Sequence, residues 1–329
     1  VETGSLHIID KIAYDFLRGE VSSYPSEEIA EVGREIELMK KQGVLDAEPP
    51  HAEPPLPSGE IKSLCLHLSH DCNLRCKYCF AGQGAYHGKR INMPFETAKA
   101  AVDFLIEKSG KRHNLEIDFF GGEPLLNFEV LKKAVEYTEE QGGIYGKNFK
   151  LTATTNGLLL SKEVSDFLNA KMDNVVMSLD GRKSVHDNAR PTPNGGGSFD
   201  LIADKFKYFR SVRGNKSYFM RGTFTHDNLD FGKDVLAVAD MGFDQISMEP
   251  VVLPAGSPLA ITEKDLPALA EEYEKLAKEY AARRLDKRTW FSFFHFVVEL
   301  ENGPCYKKRL AGCGAGGEYL AVTPDGNIY

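Results

Sequence analysis

Apolar and polar residues run along this chain in two rhythms, and the switches between them divide it. Residues 5–9 alternate with period two, as a half-buried strand does. Asp10 then stands where a helix cap is expected, ahead of Ile12, Ala13, Phe16 and Leu17 on one helical face. Ser26 is placed to cap a second helix whose apolar face is Ile29, Val32, Ile36 and Met39, and Gly43 to end it. One strand and two amphipathic helices bury too little to be stable alone. Residues 1–45 therefore read as a module truncated at its start. Pro49, Pro50, Pro54, Pro55 and Pro57 follow within 46–60, a composition that favours extended, semi-rigid linker geometry.

From Ile61 onward the rhythm alternates regularly between strand and helix. Strands are expected over 63–68, 115–120, 150–155, 174–179, 218–225 and 245–250. Helices are expected near 94–108, 127–141, 161–169, 199–212, 229–241 and 263–284, with Ser161 as a cap. Six β/α units in a row predict an α/β fold, a parallel sheet with outer helices. Six units rather than eight suggest a partial, open barrel over 61–290. In parallel barrels the chemistry sits at the carboxyl ends of the strands.

Composition narrows the class. The chain has 329 residues, 42% of them apolar, which suits one large α/β domain plus a small one. No apolar run approaches the ~20 residues of a membrane span, and no signal peptide is visible, so neither membrane nor export is expected. A formal charge of −8 with no basic stripe argues against a nucleic-acid partner. Six cysteines in a chain of this size do not read as a disulfide framework, which fits a reducing cytoplasm. Val1 starts without methionine and Tyr329 stops in mid-pattern, so the chain reads as a fragment.

The chemistry concentrates after the first expected strand, in Cys72-Asn-Leu-Arg-Cys76-Lys-Tyr78-Cys79. Proteins whose iron–sulfur clusters only carry electrons usually supply four thiolates. Three thiolates spaced C-x3-C-x2-C leave one iron of a cubane open, and an open metal position is where a ligand binds. Tyr78 adds a flat surface beside it. A structural zinc site is the alternative, but zinc prefers four closed ligands in paired C-x2-C knuckles. After the second strand comes Gly121-Gly122-Glu123-Pro124, where missing Cβ atoms let backbone approach a ligand; an ordinary tight turn is the competing reading. Thr154-Thr155-Asn156-Gly157 and Ser178-Leu179-Asp180-Gly181 end the third and fourth strands with groups that could reach hydroxyls or a carboxylate, or cap the next helix. Asn194–Ser198, with three consecutive glycines, reads as a mobile loop over the site.

The cysteine passage resembles the signature of the radical S-adenosylmethionine (SAM) enzymes. That resemblance implies a [4Fe-4S] cluster on Cys72, Cys76 and Cys79, whose open iron chelates the methionine end of SAM and whose electron splits SAM to a 5′-deoxyadenosyl radical. It also implies that the Gly122 backbone and Glu123 receive the SAM amino group, and that the adenine lies at the end of the sixth strand, 246–251, with no single residue assigned to it. The string Ser178-Leu-Asp-Gly-x4-His186-Asp187-x2-Arg190 resembles the peptide-modifying members that carry a SPASM extension. There the serine and the arginine contact SAM, the guanidinium pairing with its carboxylate. His186 and Asp187 read more readily as a pair fixing the loop than as catalytic groups. Cys313-Gly-Ala-Gly, followed by an Asp325-Gly326 hairpin turn, looks like the opening of that extension over 291–329. It would hold an auxiliary [4Fe-4S] cluster through Cys313, with Cys305 a further ligand or a free thiol.

A winged-helix-like module ahead of such a barrel resembles maturases that capture the leader of a ribosomally made precursor by strand addition. The opening residues look most like the maturases of cysteine-rich "six cysteines in forty-five" (SCIFF) peptides. Those enzymes join a cysteine sulfur to the α-carbon of an acceptor residue. The implied partners are a cysteine-rich precursor with its leader and a low-potential donor of flavodoxin or ferredoxin type, in an anaerobe's cytoplasm. The competing expectations are an anaerobic sulfatase-maturing enzyme, which makes formylglycine, and a non-enzymatic iron–sulfur redox sensor.

Overall fold

The computed structural model describes residues 7–46, 59–254, 256–286, 289–297 and 312–329. Most of the proline-rich linker and Cys305 lie outside the described residues. The chain forms two compact units, one of Val1–Leu56 with Val298–Gly314, the other of Pro57–Val297 with Ala315–Tyr329.

In the first unit, helices α1 (Lys11–Arg18) and α2 (Ser26–Lys41) pack together. Asp10 caps α1 as expected, its Oδ1 accepting from Ala13 N at 2.9 Å. Ser26 does not cap α2: Pro25 holds the cap position and Ser26 is already helical, its φ-restricted predecessor starting the turn without a side-chain acceptor. Val32 and Ile36 of the expected apolar face are buried, whereas His7–Asp10 carries no strand.

The second unit is an eight-stranded parallel sheet. Its strands are β1 (Ser63–Ser69), β2 (Asn114–Gly121), β3 (Asn148–Thr155), β4 (Asn174–Ser178), β5 (Ser217–Phe224), β6 (Gln245–Pro250), β7 (Ser292–Phe293) and β8 (Tyr319–Val322). They lie in the order β7-β6-β5-β4-β3-β2-β1-β8, and the two end strands do not pair, so the barrel is open. The six expected strands are all present. Two short edge strands add to them, both from the segment expected to begin the extension. Helices α3 (Phe95–Lys108), α4 (Phe128–Tyr145), α5 (Lys162–Lys171), α6 (Lys183–Ala189), α7 (Phe199–Arg213), α8 (Phe231–Asp240) and α9 (Leu266–Leu285) form the crossovers. Ser161 caps α5 through Val164 N at 3.2 Å. Among the described residues no helix is long and apolar enough to cross a membrane.

Alternation decides which face does what. Leu64, Leu66, Leu68, Leu115, Ile117, Phe119, Val175, Met177, Ile246 and Met248 point to the helices and are buried in one core. The opposite positions are mostly polar, among them His67, Asp118, Thr152, Thr154, Ser178, Arg221, Thr223, Ser247 and Glu249, with Cys65, Phe120, Val176 and Phe219 the apolar ones. A packed parallel barrel fills its interior with branched apolar side chains; this polar inner face leaves room for a cavity instead.

Candidate active site

Parallel pairing brings the carboxyl ends of β1 to β6 to one edge, and the loops that leave them enclose a cavity of about 560 Å³. Cys72, Cys76, Tyr78 and Cys79 line it from the loop after β1, and Gly122 and Glu123 from the turn after β2. Ser178 and Arg190 close it further along. Every residue expected in this barrel to hold a cluster or to position SAM therefore meets at one place. Cys313 belongs to the other compact unit.

The cysteine loop is anchored at both flanks. Asp71 Oδ1 accepts from Cys72 N at 2.8 Å and from Arg90 Nη1 at 2.5 Å. Arg75 N and Lys77 N donate to Pro191 O and Ala189 O, at 2.8 and 2.9 Å. Arg75 Nη1 reaches back to Cys72 O and Leu74 O at 2.6 and 2.8 Å. Two N–H groups point at one sulfur: Leu74 N and Asn156 Nδ2 lie 3.4 and 3.6 Å from Cys72 Sγ. Such bonds stabilise thiolate charge and tune a cluster held by it. Without metal, burial pushes the Cys72 thiol up to about 12 and the Cys76 thiol up to about 11, so ligation would have to displace their protons. Among the described residues no three His, Cys, Asp or Glu side chains converge tightly enough for a single metal ion. Thiols that each take a different iron of a cubane need not converge. The three-thiol set with its N–H donors fits a [4Fe-4S] cluster.

The glycine turn also closes on the cysteine loop. Gly121 has φ +126°, and a Cβ there would overlap Ser69 O; one on Gly122 would overlap Asp71 O. Gly122 N and Glu123 N donate to Ser69 O and Asp71 O at 2.8 and 2.9 Å. The glycines thus let this turn close on the cysteine loop, and its N–H groups are committed there.

Glu123 is 1% exposed. Its Oε1 accepts from Leu125 N at 3.1 Å and Thr155 Oγ1 at 2.8 Å, and Oε2 from Asn156 N at 2.8 Å. Burial lifts its pKa to about 7 against the pull of these donors. A carboxylate has about four lone-pair sites, so this group retains capacity for a cationic partner. Thr155 and Asn156 consequently serve Glu123 and Cys72 rather than a free ligand.

Asp180 is the hub that sequence reasoning missed. It is fully buried; Oδ2 accepts from Tyr78 Oη at 2.6 Å and Arg190 Nε at 2.9 Å, and Oδ1 from Thr223 N at 2.9 Å. Burial works against the Arg190 charge, but Asp180 overrides it and keeps the guanidinium protonated. Arg190 also lies over the Tyr78 ring, 5.4 Å from its centroid. Bonding through Nε leaves the Nη pair of the fork for an anionic group in the cavity. The signal was available: in strand-like alternation, residues 178 and 180 share a face.

His186 and Asp187 act as loop-fixers. His186 Nδ1 accepts from Asp180 N at 3.2 Å, His186 Nε2 lies 3.0 Å from Ser198 Oγ, and Asp187 Oδ1 accepts from Phe199 N at 2.7 Å. The glycine stretch at 194–198 is folded onto these groups, with Thr192 N bonded to Gly196 O at 2.8 Å, and lines no part of the cavity.

An open parallel α/β sheet with a three-cysteine loop at its first strand defines a cluster-dependent barrel enzyme fold. Residues 66–235, just over half of the chain, match the Radical SAM superfamily, and the chain belongs to it. Members of that superfamily use SAM and a [4Fe-4S] cluster. The chain is 29% identical over 193 residues to the radical SAM cyclopropyl synthase TigE of Paramaledivibacter caminithermalis, covering 55% of this chain and 39% of that protein. It is 30% identical over 162 residues to a cysteine-type anaerobic sulfatase-maturating enzyme of Clostridium perfringens, covering 46% of this chain and 42% of that one. The solved structure of native anSMEcpe with bound AdoMet and Cp18Cys peptide shares the fold. Its TM-score is 0.66 at 20% identity, with 82% of this chain and 73% of that one covered. The matched region spans about two-fifths of the length of these curated relatives.

Proposed function

We propose that this chain is the catalytic part of a peptide-modifying radical SAM maturase that forms a thioether between a cysteine sulfur and an acceptor α-carbon. The observation that carries the reading is the single cavity onto which three thiols, a buried carboxylate and an Asp180-held arginine fork all open. Cys72, Cys76 and Cys79 would hold the cluster. Glu123 would take the ammonium of SAM and Arg190 its carboxylate, with Tyr78, Gly122 and Ser178 packing beside it. When bound, the cluster and SAM together supply a hydrogen-abstracting radical; the protein supplies position and exclusion of water.

A protein or peptide substrate is supported by the sulfatase-maturating relative and by the peptide bound in the structure that shares the fold, the latter by analogy of fold alone. Cys313, with Cys305, would contribute to an auxiliary cluster, and residues 1–45 would capture the leader of a cysteine-rich precursor. A low-potential flavodoxin or ferredoxin would deliver the electrons. Formylglycine formation, the activity of sulfatase maturation, is the competing reaction.

The product separates the two. A thioether retains all sulfur and loses two hydrogens per crosslink, and one thiol per crosslink stops reacting with alkylating reagents. Formylglycine made from cysteine loses the sulfur and leaves a carbonyl that hydrazines label. Mass analysis of a reacted cysteine-rich precursor is expected to give the first pattern. A sulfur-depleted, hydrazine-reactive product would replace the thioether reading with the formylglycine one.

A further inference from the structure

Behind the cavity wall formed by β6 runs a chain of polar groups that ends on Glu249. Glu249 lines the cavity at the carboxyl end of β6. Its Oε2 lies 3.2 Å from His295 Nε2, and His295 Nδ1 lies 2.9 Å from Tyr273 Oη. Ser247 Oγ donates to Glu249 Oε1 at 2.8 Å. Tyr273 belongs to α9 and His295 follows β7, so one hydrogen-bonded chain joins three elements and ends on the Glu249 carboxylate. The imidazole is clamped by the rings of Phe293 and Tyr273, with centroids 4.9 and 5.9 Å away. An ionised carboxylate only accepts, so Nε2–H donates to Glu249, and Nδ1 pairs with the Tyr273 hydroxyl. A carboxylate, an imidazole and a third group that orients it, opening onto a reaction cavity, form the pattern of an acid–base catalyst.

We propose that Glu249, oriented by His295 and Tyr273, accepts the proton that the substrate's reacting side chain loses during the modification.

This rests on the thioether reading above. Joining a thiol to a carbon removes two hydrogens. One leaves the α-carbon as a hydrogen atom. The other leaves the sulfur as a proton, and one electron passes to the auxiliary cluster or another one-electron acceptor. The S–H bond breaks as the C–S bond forms, and the proton moves to a Glu249 oxygen. A sulfur that already bears two carbon bonds holds a proton only weakly, so a carboxylate of low proton affinity can take it in a closed site from which water is excluded. Glu249 matches that need: the His295 hydrogen bond, with help from Ser247 and the Arg221 charge on β5, holds its pKa down to about 2. Among the described residues Tyr273 is a further ionisable group facing it, and burial raises its pKa.

The test uses the full-length, cluster-loaded enzyme with its peptide. In Glu249→Gln, SAM binding and 5′-deoxyadenosine formation are measured beside product, so that product is read per 5′-deoxyadenosine. Crosslinked product per 5′-deoxyadenosine should fall at least about a hundredfold, the lower end of what a positioned base contributes. His295→Asn should give a smaller loss and shift the acid limb of the pH–rate profile. In cluster-free protein, the imidazole ¹⁵N resonances of His295 should move on Glu249→Gln, which reads the pairing without any turnover. A parallel fall of product and 5′-deoxyadenosine would overturn the proposal, because Glu249 would then serve SAM; so would an unchanged product ratio. A carbonyl product from wild type would sink the thioether reading, while the ratio in Glu249→Gln would still judge the proton acceptor.

Discussion

Asp180 takes three donors from three separate segments, and its charge is the only one in direct hydrogen-bonding contact with the buried Arg190 among the described residues. Breaking a buried ion pair by removing one charge strands the other, which costs about 3–5 kcal/mol. Asp180→Asn is therefore expected to lower unfolding stability by about that amount in denaturant titrations, and to weaken SAM binding by releasing Arg190 and Tyr78. A loss under about 1 kcal/mol would mean that solvent reaches the guanidinium. Glu123 gives a second test at this scale. Its folded pKa of about 7 exceeds the ordinary glutamate value of 4.5. Ionising it in the fold therefore costs stability: that contribution is fully present below about pH 4.5 and is lost as pH rises through about 7. An ammonium beside it reverses the balance by expelling the proton. SAM should bind more tightly as pH rises through about 7, releasing up to about one proton near pH 6 and almost none above pH 8. Calorimetry in buffers of different ionisation enthalpy measures this, and Glu123→Gln should abolish it.

Among the elements, those with a strong local rhythm were legible. The β6 bounds agree residue for residue with the alternation, and the other five long strands agree to within about two residues. Three elements were not legible. α6 has seven residues and no side-chain cap, so its helical signal is weaker than the motif that runs through it. β7 has two residues, and although the Asp325-Gly326 turn marks a short strand on either side, the pairing of β8 with β1 from the far end of the sequence is a tertiary contact that no local pattern carries. The cavity face was visible in β2 and β3, where Glu116, Asp118, Lys150, Thr152 and Thr154 interrupt the apolar positions. That the glycine turn serves to close on the cysteine loop was not, because loop-to-loop approach leaves no periodic trace. Gly122→Ala tests that purpose. Its Cβ must push Asp71 and Gly84 aside, displacing the loop that carries Cys72. Iron incorporated per chain is expected to fall severalfold while far-ultraviolet circular dichroism is unchanged; full cluster content would show that the loop yields without cost.

For the molecule as a whole, the order of the sheet matters more than any one motif. Six parallel strands present their carboxyl ends together, so residues as distant as Cys72 and Glu249 line one cavity. The sequence showed each loop separately, while the hub at Asp180 and the Tyr273–His295–Glu249 chain exist only once the strands are side by side. The central claim is that this cavity is where SAM is cleaved. The direct measurement is 5′-deoxyadenosine formed by reduced, anaerobic, full-length enzyme in which Cys72, Cys76 and Cys79 are all alanine. Formation should drop to background while iron bound elsewhere in the protein persists. Undiminished SAM cleavage by that variant would contradict the account.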